Sequence, residues 1–218
     1  MFYLLLSMSL FLAPEDARLS VRAEPICACQ IKSIEVQKHI DTMLSVAYSN
    51  TEEPTKPILV GLAAPQIGIC KRIILVDLAA TGIFPRDPSA PTSRIAVFIN
   101  PEIAWQSEEQ SYWREGCFST GHVHGVVPRS HKILLRAYTR DGQLITKEFE
   151  GYTARIIQHE VDHLNGLRFP ERIQNDTDLH WVEESEIPEY REHWANWPKK
   201  CPKTMWQALI AGTLGDIE

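Results

Sequence analysis

The segment that most constrains this chain is His159-Glu160-Val161-Asp162-His163. On a helix, two imidazoles four residues apart lie one turn apart on the same face. There the pair can grip one metal ion while Glu160 faces the open side of that ion as a general base. The string therefore calls for a central helix with a polar, metal-gripping stripe. It leaves the third ligand unassigned, and that ligand decides the chemistry.

The 218 residues suit a single domain over 1–218 with room for a real core. Two appendages stand out: an apolar N-terminal extension at 1–11 and an acidic, Trp-bearing tail at 174–218. The formal net charge of −6 argues against a nucleic-acid backbone as main ligand. From Glu171 to Glu218 there are ten acidic residues and five Lys or Arg, so this stretch is expected as a solvated surface element. Cys27 and Cys29 are too close in sequence to close a relaxed disulfide, and the other cysteines are scattered. That is no secreted disulfide framework. A reducing compartment is expected, where a Cys near a His pair can serve as a ligand. Met1 to Ala13 is apolar but too short to span a bilayer, and no Lys or Arg precedes it. It reads as an edge strand or as a leader ahead of a true start at Met8, not as an export signal.

Apolar residues at Val36, Ile40, Met43, Leu44 and Ala47 have helical spacing over Ile34 to Ala47. Arg72 to Asp77 and Ile95 to Asn100 are β-rich runs, the second closed by Pro101. Asn50 to Pro57 and Thr81 to Ser93 read as loops. Ile133 to Tyr138 and Gln143 to Phe149 flank Asp141-Gly142, a hairpin signal. Thr153 to Leu164 reads as the motif helix, stopped by Asn165-Gly166. Met205, Leu209 and Leu214 suggest a short terminal helix packed on the body. Strands early and a helix late, without regular alternation, predict an α+β fold with antiparallel or mixed sheets around the motif helix.

The third ligand has several candidates. One metallopeptidase class continues the motif to a third His, but Phe169 stands at that position here. Another uses a Glu some twenty residues downstream, which Glu183 or Glu184 satisfies on distance. Upstream, Glu115-Gly116-Cys117-Phe118-Ser119 offers a thiolate. A further segment, Gly61-Leu62-Ala63-Ala64-Pro65-Gln66-Ile67-Gly68, combines small residues that admit close backbone approach with an amide donor at Gln66.

In order, these three segments resemble peptide deformylase, whose members carry G-x-G-L-A-A-x-Q, E-G-C-x-S and Q-H-E-x-D-H. The chain reads Leu59 to Gln66, Glu115 to Ser119 and Gln158 to His163. Gly125 to Arg129 and Pro14 to Leu19 extend the similarity over Leu12 to Ile173. The resemblance implies Cys117, His159 and His163 as metal ligands and Glu160 as the catalytic acid and base. It implies Gln66 and the Phe118 backbone N–H as an oxyanion hole, and the Gly61 backbone as a substrate contact. Val60, Tyr152 and Ile156 would line a methionine pocket, and Glu115 with Arg129 would buttress the Cys segment.

The implied reaction is removal of formyl from the N-terminal formyl-methionine of nascent polypeptides at the ribosome, by a monomeric, bacterial-type cytoplasmic enzyme. Thiolate plus two imidazoles suits zinc, nickel, cobalt or iron, and the family implies ferrous iron. The chain departs from the pattern at Leu59 and Phe118. It departs again at His124, where a peptide-binding Arg is common. His122 and His124 are expected as solvated loop histidines. The rival readings are a metallopeptidase with a downstream Glu ligand and an inactive, deformylase-like peptide-binding protein.

Overall fold

Strand β2 (Ile73–Asp77) is buried at every position, and the alternation of its side chains dictates the layering. Ile74 and Val76 pack in one cluster with the motif helix, whereas Ile73 and Leu75 pack in another with the early helix. A strand covered on both faces reads as one continuous apolar run, as Ile73-Ile74-Leu75-Val76 does. The computed structural model describes residues 10–48, 59–82 and 95–214. The expected loop at Asn50 to Pro57, most of the one at Thr81 to Ser93 and residues 1–9 of the apolar start lie outside the described residues.

The other elements assemble around β2. A five-stranded sheet has the order β1 (Gly61–Ala63), β2, β3 (Ile95–Gln106), β6 (Lys132–Tyr138), β7 (Leu144–Glu150), and each neighbouring pair is antiparallel. A three-stranded antiparallel sheet joins β4 (Gln110–Gly116), β5 (Val123–Ser130) and β8 (Leu179–Trp181). Helix α1 (Ile34–Tyr48) buries Val36, Ile40, Met43 and Ala47, as its spacing predicts. Helix α2 (Gly151–Leu164) carries the metal motif. The α+β expectation, with sheets around the motif helix, matches this architecture.

Helix α2 works in two directions. Ala154, Ile157, Val161 and Leu164 recur at helical spacing and pack on the five-stranded sheet. Its buried polar side chains reach the three-stranded sheet instead. Gln158 Oε1 accepts from Ser130 N–H at 3.1 Å and its Nε2 donates to Ser130 C=O at 2.8 Å, so a side-chain amide completes the strand's backbone pairing. The helix stops at Gly166, whose φ of 74° is left-handed and where a Cβ would fall 2.6 Å from Ser20 O.

The predicted hairpin forms, with Tyr138 opposite Leu144 and Gly142 at φ 78°. Strand β3 does not end at Asn100-Pro101 but continues to Gln106 through register shifts. Asn100 takes φ 50°, and its side chain accepts from Ile26 N–H at 2.9 Å and donates to Ile26 C=O at 2.6 Å. These bonds bridge the irregularity that Pro101 imposes. Leu10 to Ala13 are not in a strand, and Leu12 N–H donates to Gln66 C=O at 2.9 Å. Cys27 and Cys29 are paired as a disulfide, against expectation. The turn Ala28–Gln30 brings their Cα atoms to 5.3 Å, within bonding range.

The acidic tail also needs correction. It is expected as a solvated element, yet it supplies β8 to the small sheet, and Tyr190, Trp197, Cys201 and Trp206 are buried. Most of its charged residues are exposed, while its aromatic residues fill two clusters. Helix α3 (Ile187–His193) follows β8, and helix α4 (Lys203–Ile210) forms where the terminal helix is expected. Trp206 packs with Val123, Val127 and Phe169, and the Arg168 guanidinium sits 4.8 Å from its ring centroid.

Trp206→Ala is expected to lower unfolding free energy by about 3–5 kcal/mol, checked by urea titration. His180 is 1% exposed, its Nδ1 3.1 Å from the Tyr190 hydroxyl and its Nε2 3.2 Å from Lys200 Nζ. Burial and then the Lys200 charge lower its pKa to about 4, so it folds as the neutral form. The unfolded chain binds more protons than the folded one between pH 4 and the ordinary value of 6.5. This contribution is therefore full above pH 6.5 and lost as pH falls towards 4, by about 1–3 kcal/mol. Denaturation midpoints across that window should slope less for His180→Asn than for the parent protein.

Candidate metal centre and active site

Three segments converge on one point. Helix α2 presents His159 and His163 one turn apart, with Nε2 atoms 3.3 Å from each other. Cys117 follows β4 and opens a tight turn over Phe118–Thr120, where Thr120 N–H donates to Cys117 C=O at 3.0 Å. Its Sγ lies 3.4 Å from His163 Nε2. One ligand atom from each of Cys117, His159 and His163 falls within 4.8 Å of the others. A thiolate and two imidazole nitrogens so clustered fit a tetrahedral transition-metal ion with one position left for water or substrate.

Neither downstream Glu joins them. Glu183 accepts from the Trp181 indole N–H at 2.6 Å, and Glu184 is exposed. Among the described residues, the cluster that could hold an ion is thus the one that includes Cys117.

The carboxylate that faces the histidine pair from behind is Glu115. His159 Nδ1 lies 2.8 Å from Glu115 Oε2, so Nδ1–H donates and Nε2 keeps its lone pair for the metal. Arg129 adds two further bonds at 3.0 and 2.9 Å, and Arg155 Nη1 a third at 2.7 Å. Burial raises the Glu115 carboxyl, but the Arg129 charge and the His159 and Arg129 hydrogen bonds overcome it and hold it well below the usual range. Asp162 closes the network, accepting from Arg129 at 2.5 Å and from Arg172.

Glu160 is the contrasting carboxylate. It is 4% exposed, and its Oε2 has no hydrogen-bond partner among the described residues. Burial pushes its pKa up to about 7. Gly61 lies against it: a Cβ there would fall 2.3 Å from Glu160 Oε1 and 2.7 Å from Ile156 Cγ2. Only glycine admits that approach of β1 to the helix.

Gln66 sits on a tight turn after β1, and its Oε1 accepts from Ala63 N–H at 2.7 Å. This bond orients the amide and aims Nε2 at Cys117 Sγ, 3.1 Å away, and at Ser119 Oγ, 3.3 Å away. The Phe118 ring stacks on Phe11 with centroids 4.5 Å apart, which pins the turn that carries the Phe118 N–H.

A cleft of about 390 Å³ opens over these groups, a size common for small-ligand sites. Val60, Gly61, Gln66, Cys117, Phe118, Tyr152, Ile156, His159 and Glu160 all line it, so the structure brings together the sequence candidates on its wall, with His163 behind them. Leu59 lines it too while packing into the α1 cluster. His124 is not a solvated loop residue: it lies on β5, half-buried, with its ring 5.1 Å from Tyr190. Burial, then the neighbouring His122 imidazole and the Arg114 guanidinium, lower its pKa to about 4. His122 is exposed, as expected.

Sequence reasoning missed Arg155, Asp162 and the tail residues on the cleft. Arg155 lay within reach, since it precedes His159 by four residues and shares its face. The tail residues gave no such signal, because only tertiary folding brings them back.

The family model for polypeptide deformylase matches residues 8–178. Among curated relatives, the peptide deformylase of Methylocella silvestris is 38% identical over 158 residues, 72% of this chain and 73% of that one. Peptide deformylase 1 of Pseudomonas syringae pv. tomato is 35% identical over 160 residues, 73% of this chain and 83% of that one. A class I type b peptide deformylase from Acinetobacter baumannii, solved bound to Met-Ala-Ser, aligns with TM-score 0.62 and 37% identity, covering 72% of this chain and 93% of that one. Joined to the Cys117, His159 and His163 cluster, these likenesses show that the chain belongs to the polypeptide deformylase family.

Proposed function

We propose that this enzyme hydrolyses the formyl group from the N-terminal formyl-methionine of newly made polypeptides, releasing formate and a free amine. The observation that carries the reading is the placement of Cys117 Sγ beside the His159 and His163 nitrogens, with the Gln66 amide 3.1 Å from that sulfur. A peptidase with a carboxylate ligand would need neither group there.

Cys117, His159 and His163 would hold one divalent ion, with ferrous iron the proposed native one and zinc, nickel or cobalt able to substitute. When bound, the ion supplies Lewis acidity at the formyl oxygen and lowers the pKa of water. The chain's own residues do the rest. Glu160 accepts the proton of the attacking water and returns it to the leaving amine, a task suited to a carboxyl raised towards neutrality. Gln66 Nε2 and the Phe118 N–H donate to the oxygen on which charge develops, and both are fixed by the fold beforehand. Glu115 holds His159 in the correct tautomer. Val60, Tyr152 and Ile156 receive the methionine side chain, and the Gly61 backbone aligns the peptide.

Peptide binding by the Acinetobacter relative solved with Met-Ala-Ser supports this substrate class. The same proposal has the protein meet its substrates at the ribosome, in the cytoplasm, as a monomer. No helix among the described residues is long and apolar enough to cross a membrane.

Formate release from formyl-Met-Ala-Ser by iron- or nickel-loaded protein tests the reading. Glu160→Gln should lower kcat by about 10²–10⁴-fold while metal content stays at one ion per chain. Equal rates for parent and variant would sink it. Glu115→Gln should weaken metal affinity by about 10–100-fold, read as metal retained against a competing chelator. Undiminished retention would show that the buried carboxylate does not orient His159.

A further inference from the structure

The catalytic groups come from β1, the Cys117 turn and α2, yet part of the cleft wall is built by the C-terminal segment. Val182, Glu184, Ile187, Tyr190 and Arg191 line the same cavity as Cys117, His159 and Glu160. Strand β8 brings them there: Val123 pairs with Trp181, so the chain leaves the small sheet beside the Cys117 turn, and Val182 N–H donates to His122 C=O at 2.9 Å. Tyr190 then packs on His124, and Trp194 on Trp113 of β4 at 5.3 Å between ring centroids. His124 in turn covers Gly116, where a Cβ would fall 2.3 Å from the His124 ring. The segment is held against the substrate side of the small sheet by packed aromatic rings.

Its contribution to the cleft is mainly apolar. Val182 and Tyr190 are buried and fix the wall, while Ile187 remains half-buried. Glu184 and Arg191 put opposite charges on the same wall, so it carries no strong preference for one sign.

Peptide geometry says what this wall meets. Successive side chains of an extended peptide point to opposite faces. If the first side chain enters between Val60, Tyr152 and Ile156, on the side of β1 and α2, the second points away, towards the small sheet and its C-terminal cover. We infer that Val182, Ile187 and Tyr190 form an apolar subsite for the side chain of the substrate's second residue, with Ile187 its specificity-determining contact. This rests on the deformylase reading above, which supplies the position of the first residue.

The test is a ratio within one enzyme preparation, so that folded fraction and metal loading cancel. Measure kcat/KM for formyl-Met-Leu-Ser and formyl-Met-Gly-Ser with metal-loaded full-length protein. The parent protein should favour the leucine peptide by about tenfold, carried in KM, as a buried apolar contact supplies. Ile187→Asp should bring the ratio near one, and Ile187→Leu should keep it. A parent ratio near one, or an unchanged ratio in Ile187→Asp, overturns the subsite while leaving the deformylase reading intact. No formate from either peptide with the parent protein overturns both.

Discussion

The arrangement turns on one buried carboxylate. Glu115 accepts from Arg129 on β5 and from Arg155 and His159 on α2, while itself belonging to β4. One anion thereby ties the small sheet to the motif helix. A carboxylate buried without partners would cost several kcal/mol, and so would each guanidinium left behind by its loss. The network is stable only as a whole, with Asp162 closing the charge of Arg129 and Arg172. That interdependence fixes His159 to a geometry and a tautomer, and with them the direction of the metal-binding lone pair.

The same helix holds its second acid in the opposite condition. His159 and Glu160 are adjacent, so their side chains leave the helix about 100° apart. The imidazole turns to the arginine-rich side and the Glu160 carboxyl to the apolar side near Ile156 and Gly61. Glu115 is held low by its cationic partners and Glu160 is raised to about 7 by burial. Two carboxylates in one site are thus set in opposite conditions by what surrounds them: one is ion-paired and held ionised, the other is buried and raised towards neutrality.

What could be read from the sequence follows from how local each determinant is. The helix over His159 to His163, its stop at Gly166 and the Asp141-Gly142 hairpin depend on neighbours within a few residues, and all were legible. Cys117 and Gln66 were legible through ordered motifs, because each motif packs several backbone requirements into a short string. Strands β4, β5 and β8 were not, since Gln110 to Gly116 mixes charged and aromatic residues, Leu179 to Trp181 is only three residues long, and these segments gain strand character only by pairing. The acidic tail misled for a related reason. Its net charge describes the outward face, whereas Tyr190, Trp197 and Trp206 decide where it packs. The Cys27 and Cys29 pairing likewise depended on a turn that spacing alone does not reveal.

The division between network and wall bears on how such a site can vary. Glu115, Arg129, Arg155 and His159 depend on one another through charge and hydrogen bonds, so the loss of one leaves a buried group unpaired. The cleft's outer wall is held differently. Phe11 stacks on Phe118, and Tyr190 packs on His124 through ring contacts with no ionic partner required. Contacts of that kind tolerate replacement by other apolar groups of similar volume. Segments near both ends of the described chain therefore line the cleft beside the Cys117, His159 and His163 cluster without belonging to it.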